Sequence, residues 1–217
     1  FAFSLLIGIG SAASVSLKLG MKYGEEAERF LGVAVFLSLV ISAILMIIIY
    51  FNMDRIIYFI GGSDKTFTYA KNYLFYINLG VPAAILGLVL NSVIRSDGSP
   101  KIAMGTLLIG AITNIVLDPI FIFMFGMGVK GAAIATIISQ YVSMIWTIHY
   151  FMSKRSKIKL IKKDIRYDFY KSKEICLLGS SAFAIQIGFS LVTYILNTVL
   201  KKYGGDTSIG AMAIVQS

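Results

Sequence analysis

The sequence predicts an all-α polytopic membrane protein. Three observations carry that expectation: long uncharged stretches, the lack of a polar face along them, and basic residues gathered in alternate loops. The chain is 57% apolar with a mean hydropathy of +0.81, against roughly 45–50% apolar in soluble proteins. Residues 30–51, 72–94, 131–152 and 175–200 carry no formal charge, and 102–128 is broken only by Asp118. About 20 apolar residues suffice to cross a bilayer as a helix. A soluble helix of that length would show charges on one face every turn or so, and these stretches do not.

Two further stretches look like partial spans. Residues 1–17 are apolar from the first position and lack a basic leader, so they do not read as a signal peptide. Residues 207–217 are apolar and stop abruptly. The expectation is an internal fragment of five complete spans and two partial ones. Taken in order, the six intervening loops hold 3, 3, 2, 1, 9 and 2 basic residues, so alternate loops carry 14 and 6 of the 20. The positive-inside rule assigns the richer set to the cytoplasm. The span carrying Asp118 then runs outward, and the net charge of +9 reflects topology rather than a nucleic-acid surface. A single cysteine, Cys176, excludes an intramolecular disulfide and a cysteine metal cluster. His149, the one histidine, falls at the cytoplasmic end of its span and reads as an interfacial side chain.

Short motifs read mainly as packing. "GIGSAAS" (8–14) has a formal G-x-G-x-x-A pattern, but a dinucleotide turn needs a preceding strand. Within an apolar helix the small residues let a neighbouring helix approach; "GAAIAT" (131–136), Ser38 and Ser42 read the same way. In "RSDGSPK" (95–101), Asp97 and Gly98 are turn chemistry, and Pro100 presets the next helix. The basic stretch 153–174 places Ile158, Ile161, Ile165 and Phe169 at helical spacing. That predicts a cationic helix lying on an anionic membrane surface.

Asp118, in "NIVLDPIFIF" (114–123), is the one charge inside an otherwise apolar span. An Asp at a helix centre costs about 2.5–3.5 kcal/mol on insertion scales, so such residues face a polar interior. At ~1.5 Å per residue it stands roughly 24 Å above Ile102, in the outer half of the bilayer. Asn114, four residues earlier, shares its helix face. Pro119 lacks an N–H, so the Ile115 carbonyl loses its helical partner. On the next span, Gly131, Ala132 and Ala133 allow close approach, and Thr136 and Gln140 share one face. Carboxylate, amide, hydroxyl and loosened backbone suit a hard cation such as Na⁺, held by Asn114, Asp118 and Thr136, or a proton. The alternative is a buried protonated Asp that only ties two helices together.

The stretch 91–140, with its R-x-x-G-x-P loop, "NIVLDPIF" helix and "GAAIAT" helix, resembles the multidrug and toxic compound extrusion family; 17–35 resembles that family's loop between spans 2 and 3. The resemblance extends over essentially the whole chain, from the end of span 2 to the start of span 8. It implies a two-lobed transporter. Residues 1–153 would be most of one six-helix lobe, 154–174 a basic interlobe linker, and 175–217 the first helix and a half of the second lobe. It also implies efflux of cationic or amphipathic drugs by antiport against H⁺ or Na⁺. No cofactor beyond that coupling ion is implied. The protein would be a monomeric, multi-pass resident of the plasma (inner) membrane, with no nucleic-acid partner. Carried over by position, Asn114, Asp118 and Thr136, with the Ala132 carbonyl, form the coupling site, whose remaining carboxylate comes from span 1 in relatives. Tyr73, Asn91 and Gln140 are candidates for the substrate cavity wall, with Asn91 too near the cytoplasmic end to reach the ion.

Two rival functions make different demands on the sequence. A lipid-linked oligosaccharide flippase of the same superfamily would carry intramembrane Arg or Lys, and none occurs in these spans. An intramembrane enzyme would need paired catalytic groups, which one Asp and an end-of-span His do not supply.

Overall fold

A computed structural model describes the backbone of residues 1–59 and 64–216, and the side chains of 1–59, 66–196 and 198–200. Six helices follow one another: α1 (Ala2–Gly20), α2 (Gly24–Phe59), α3 (Asp64–Ser96), α4 (Pro100–Pro119), α5 (Val129–Met152) and α6 (Phe169–Gln216). A π turn at Ile120–Met124 extends α4, and a short 3₁₀ turn, Lys162–Asp164, lies between α5 and α6. All six helices contain a segment long and apolar enough to cross a membrane. The four uncharged stretches and the first partial span each fall on one of them, and 102–128, which carries Asp118, covers α4 and the π turn.

The connections follow from local chemistry. After α3, the Gly98 N–H donates to Arg95 O and the Ser99 N–H to Ile94 O. This pattern closes a helix around one left-handed residue. Gly98 takes that place at φ +87°, and Pro100 opens α4, as the turn chemistry predicts. The same closure ends α1, with Lys22 at φ +64° and Tyr23 N–H on Lys18 O. The apolar stretch that ends at Phe51 meets a break at Asn52, whose backbone leaves the helical region (φ −118°, ψ 17°). Its side-chain amide donates to Ile48 O, and an Asp54–Lys71 ion pair of 2.7 Å joins the outer end of α2 to α3.

α3 is the central helix, packed by α1, α2, α4 and α5. Its Val89, Leu90, Val93 and Ile94 are fully enclosed. The small residues of "GIGSAAS" do the packing expected of them. A Cβ on Gly8 would stand 3.1 Å from Ser92 Oγ of α3, and one on Gly10 would strike the Ile175 carbonyl of α6. Gly179 returns the contact against Leu6 of α1. Ser38 and Ser42 are likewise buried, each donating back to its own helix, at Ala34 O and Leu39 O.

Two expectations are corrected. The basic segment is not an amphipathic surface helix: between α5 and α6 it is irregular apart from the 3₁₀ turn. Ile158, expected on a lipid-facing stripe, is fully buried in the core, and Ile165 packs against that core from its edge. The reason is a set of specific anchors stronger than helical periodicity. Asp97, read from sequence as a turn residue, is 1% exposed. Its Oδ2 accepts from Tyr150 Oη (2.6 Å), Ser156 Oγ (2.9 Å) and the Lys157 N–H (3.1 Å). Glu28 accepts the Lys159 N–H (2.8 Å), and Gly32 leaves room for the Asp164 carbonyl against α2. Backbone donors at Lys157 and Lys159 thus go to carboxylates, which a helix would not allow.

The second correction concerns the loop expected at Lys201 and Lys202, because the backbone of α6 stays helical through Gln216. No proline interrupts this segment, and paired glycines such as Gly204 and Gly205 weaken a helix without forbidding it. The side chains of the expected eighth span lie outside the described residues.

Asp168 starts α6 as an N-cap, its Oδ1 accepting the Lys171 N–H at 3.1 Å. That bond, with the Lys171 ammonium nearby, holds the Asp168 carboxyl below its ordinary value.

Replacing Asp97 tests the anchoring. Asp97→Ala removes a buried acceptor of three bonds, strands the Lys157 N–H and leaves the Tyr150 and Ser156 hydroxyls with Ser99 and Ile158 alone, and is expected to cost about 3 kcal/mol. A thermal melt of the detergent-purified full-length protein should fall, and limited trypsin digestion within 153–168 should accelerate. Unchanged melting and cleavage would show that the carboxylate does not hold the segment.

Candidate functional site: a polar cavity beneath a carboxylate–amide pair

The site is built on α3, α4 and α5. Asn114 and Asp118 stand one turn apart on α4, and the Asn114 amide donates to Asp118 Oδ1 at 3.2 Å. Both side chains are half-buried. Directly after Asp118 the helix changes register. Pro119 keeps helical angles (φ −60°, ψ −36°) but opens the π turn, and the Phe125 N–H reaches back to Ile120 O at 3.0 Å. The residue type explains this: without an N–H, Pro119 cannot continue the i→i−4 ladder, and π turns of this kind recur at functional sites.

α5 then returns alongside. A Cβ on Gly131 would lie 2.6 Å from the Phe121 carbonyl, so only glycine lets α5 start against the π turn. Five residues later Thr136 donates to Ala132 O at 2.9 Å, which leaves its hydroxyl lone pairs free. The Ala132 carbonyl, which also accepts the helical Thr136 N–H, is open to a further ligand only when that hydroxyl turns away.

Between the three helices lies a cavity of about 340 Å³. Asn114 and Thr136 line one end; Asn91, Thr106 and Thr147 line the other; Gln140, Ser139 and Ser143 lie between. No Lys, Arg, Asp or Glu is in its wall. Asp118 and Ala132 are not part of the lining, and Asn114, which is, joins the carboxylate to the cavity. Asn91 closes the far end, its amide donating to Ala103 O (2.7 Å) and to Thr106 Oγ1. The buried Oδ1 of Asn91 and Oε1 of Gln140 have no hydrogen-bond partner among the described residues. Unpaired acceptors of this kind call for water or a ligand.

Of the residues singled out from sequence, Asn114, Thr136, Asn91 and Gln140 meet at this cavity, and Asp118 adjoins it through Asn114. Tyr73 does not line it and is 39% exposed elsewhere on α3. Sequence reasoning missed Thr106, Ser139, Ser143 and Thr147. Their signal was present: 136, 140, 143 and 147 on α5, and 106, 110 and 114 on α4, recur at three to four residues and trace one face of each helix. Among the described residues no group of three or more His, Cys, Asp or Glu could hold a metal ion. A cation held here would rest on one carboxylate with amide and hydroxyl oxygens, a set suited to Na⁺ rather than to a transition metal.

Six long apolar helices, three of which enclose an uncharged cavity with one carboxylate at its edge, define a multi-pass membrane protein. The MatE family model matches residues 1–120, and the chain belongs to that family, the multidrug and toxic compound extrusion proteins that the sequence resembles. The multidrug export protein MepA of Staphylococcus saprophyticus is 31% identical over 199 residues, which cover 92% of this chain and 44% of the relative. A structure described as the inward-facing conformation of a multidrug resistance MATE family transporter of the MOP superfamily superposes with a TM-score of 0.90 at 25% identity, covering 96% of this chain and 48% of that one. A MOP superfamily transporter from Pyrococcus furiosus, described as having a binding pocket of reverse polarity that suggests a different function, superposes with a TM-score of 0.85 at 26% identity, covering 98% and 47%. The chain therefore spans about half the length of the relatives it matches.

Gly131 is the point at which packing sets the site. Gly131→Val should drive α5 from the π turn at a cost of about 1–3 kcal/mol. It should lower the melting temperature of the full-length protein while leaving its membrane insertion unchanged. A variant as stable as the wild type would show that the close approach is not needed.

Proposed function

We propose that the chain is one half of a secondary active multidrug efflux transporter that exports cationic or amphipathic compounds by antiport against H⁺ or Na⁺. The observation that carries this reading is the Asn114–Asp118 pair, 3.2 Å apart, at the edge of a polar cavity in spans without any other charge. The names of the relatives support the substrate class: multidrug export for MepA and multidrug resistance for the inward-facing transporter.

In this reading Asp118 holds the coupling proton or Na⁺. Asn114 orients the carboxylate and shares the ion, and Thr136 and the Ala132 carbonyl supply further oxygens. Drug and ion favour opposite-facing states of the full-length protein, and the difference in their binding drives alternating access. No charge lines the cavity, which suits an amphipathic or cationic solute and gives an anionic pyrophosphate lipid no cation to bind. That disfavours the flippase reading. A catalytic role is disfavoured because Asp118 has an amide, not a second acid or a base, as its partner.

Efflux of a fluorescent cation from vesicles, driven separately by ΔpH and by a Na⁺ gradient, tests the proposal in the full-length protein. Asp118→Asn keeps the hydrogen-bonding shape and removes the exchangeable charge. It should abolish gradient-driven efflux, a loss of at least about tenfold, equivalent to about 1.4 kcal/mol, with normal membrane insertion. Wild-type rates in that variant would refute the coupling role.

A further inference from the structure

A second cavity, of about 350 Å³, lies where α4 begins and α5 ends, on the side that the basic residues assign to the cytoplasm. Ile102, Trp146, His149, Tyr150, Ser153 and Arg155 line it. Its polar groups divide sharply. The Tyr150 hydroxyl is committed to Asp97 and Ser99. Ser153 Oγ donates to Tyr150 O and accepts the Arg155 N–H. What remains is the Trp146 indole N–H, the His149 imidazole and the Arg155 guanidinium. None of these side chains has a hydrogen-bond or ion-pair partner among the described residues. No carboxylate lines the cavity, and Asp97, the partner of the Tyr150 hydroxyl, is buried with its Oδ2 accepting three bonds.

An indole N–H, an imidazole and a guanidinium, all exposed and gathered with no carboxylate in the wall, complement an anion carrying several oxygens, and a guanidinium is well matched to phosphate in particular. The surroundings decide between a free anion and a lipid. Along α5, Ile138, Tyr141, Ile145 and Met152 are exposed on the face that leads to Trp146, with Ile145 60% exposed. Met104, Leu107 and Leu108 on α4 are exposed beside the same end. A tryptophan at the end of an apolar span marks the headgroup level of a bilayer.

We propose that this cavity binds the phosphodiester headgroup of an anionic phospholipid, with the acyl chains lying along the exposed faces of α4 and α5. The anionic-membrane contact expected of the basic segment is thereby moved. It is carried by a discrete pocket at the end of α5, not by the stripe of Ile158, Ile161, Ile165 and Phe169. Arg155 and His149 hold the phosphate oxygens, and Trp146 sits between headgroup and chains. The proposal is independent of the coupling role of Asp118.

Native mass spectrometry of the full-length protein, loaded with phosphatidylglycerol or with phosphatidylcholine, tests it. Each basic residue near an anionic headgroup strengthens binding about fivefold. A His149→Gln, Arg155→Gln double variant should therefore retain at least about fivefold less phosphatidylglycerol, with phosphatidylcholine retention unchanged. Arg155→Lys should keep most of the binding. Excess inorganic phosphate should leave the lipid in place. Equal phosphatidylglycerol retention in the double variant would overturn the proposal, and ready displacement by inorganic phosphate would make the pocket a free-anion site instead. A measurement without any of these variants guards against misfolding. In a full-length protein whose only tryptophan is Trp146, brominated phosphatidylglycerol should quench fluorescence more than brominated phosphatidylcholine at equal mole fraction, and equal quenching would contradict the site.

Discussion

A polar group inside a bilayer has no water to turn to, so every donor and acceptor must be satisfied by the protein itself. Much of this chain is arranged by that constraint. Ser38, Thr113, Thr136 and Thr147 return their hydroxyls to carbonyls three or four residues back on their own helices. Such residues need nothing from a neighbour. Asp118 cannot be treated in that way, because a carboxylate one turn above an asparagine needs a donor, and Asn114 is the one at hand. The places where satisfaction stops short are therefore informative. Two of them, Asn91 Oδ1 and Gln140 Oε1, line the one cavity that Asn114 also lines.

The opposite end obeys a different rule, because there the chain leaves the apolar region and charges are available. Asp97 gathers the end of α5 and the segment after it onto the α3–α4 turn. Glu28 and the Glu26–Lys171 ion pair (3.0 Å) bring in α2 and α6. The ends of five helices are thus bound to one irregular strap. A shift of α5 relative to α3 at the polar cavity would have to work against these bonds, which links the packing of the site to the cytoplasmic surface.

Much of this was legible in the sequence. Span positions followed from uncharged length, since nothing else in a bilayer competes with the helix. The Asn114–Asp118 contact followed from a spacing of four, and the close approach of α5 from Gly131. Gly98 and Pro100 announced their turn. What escaped has a common cause: it depends on partners far apart along the chain. Asp97 looks like any turn aspartate until Ser156 and Lys157, some 60 residues on, are brought to it. The isoleucine spacing at 158, 161 and 165 mimicked a helix because periodicity cannot register that two backbone donors in the segment go to distant carboxylates. Tyr73, which the resemblance offered for a cavity wall, does not line the cavity between α3, α4 and α5.

The account makes Asp118 the seat of an ion whose binding opposes that of the drug. Ion release on drug addition measures this most directly. With the purified full-length protein loaded with Na⁺, or in weak buffer for H⁺, adding a cationic drug should release one ion per drug bound. The release should vanish when Asp118 is replaced by Asn. Drug binding with no ion released under either condition, or equal release from the Asn variant, would contradict the account.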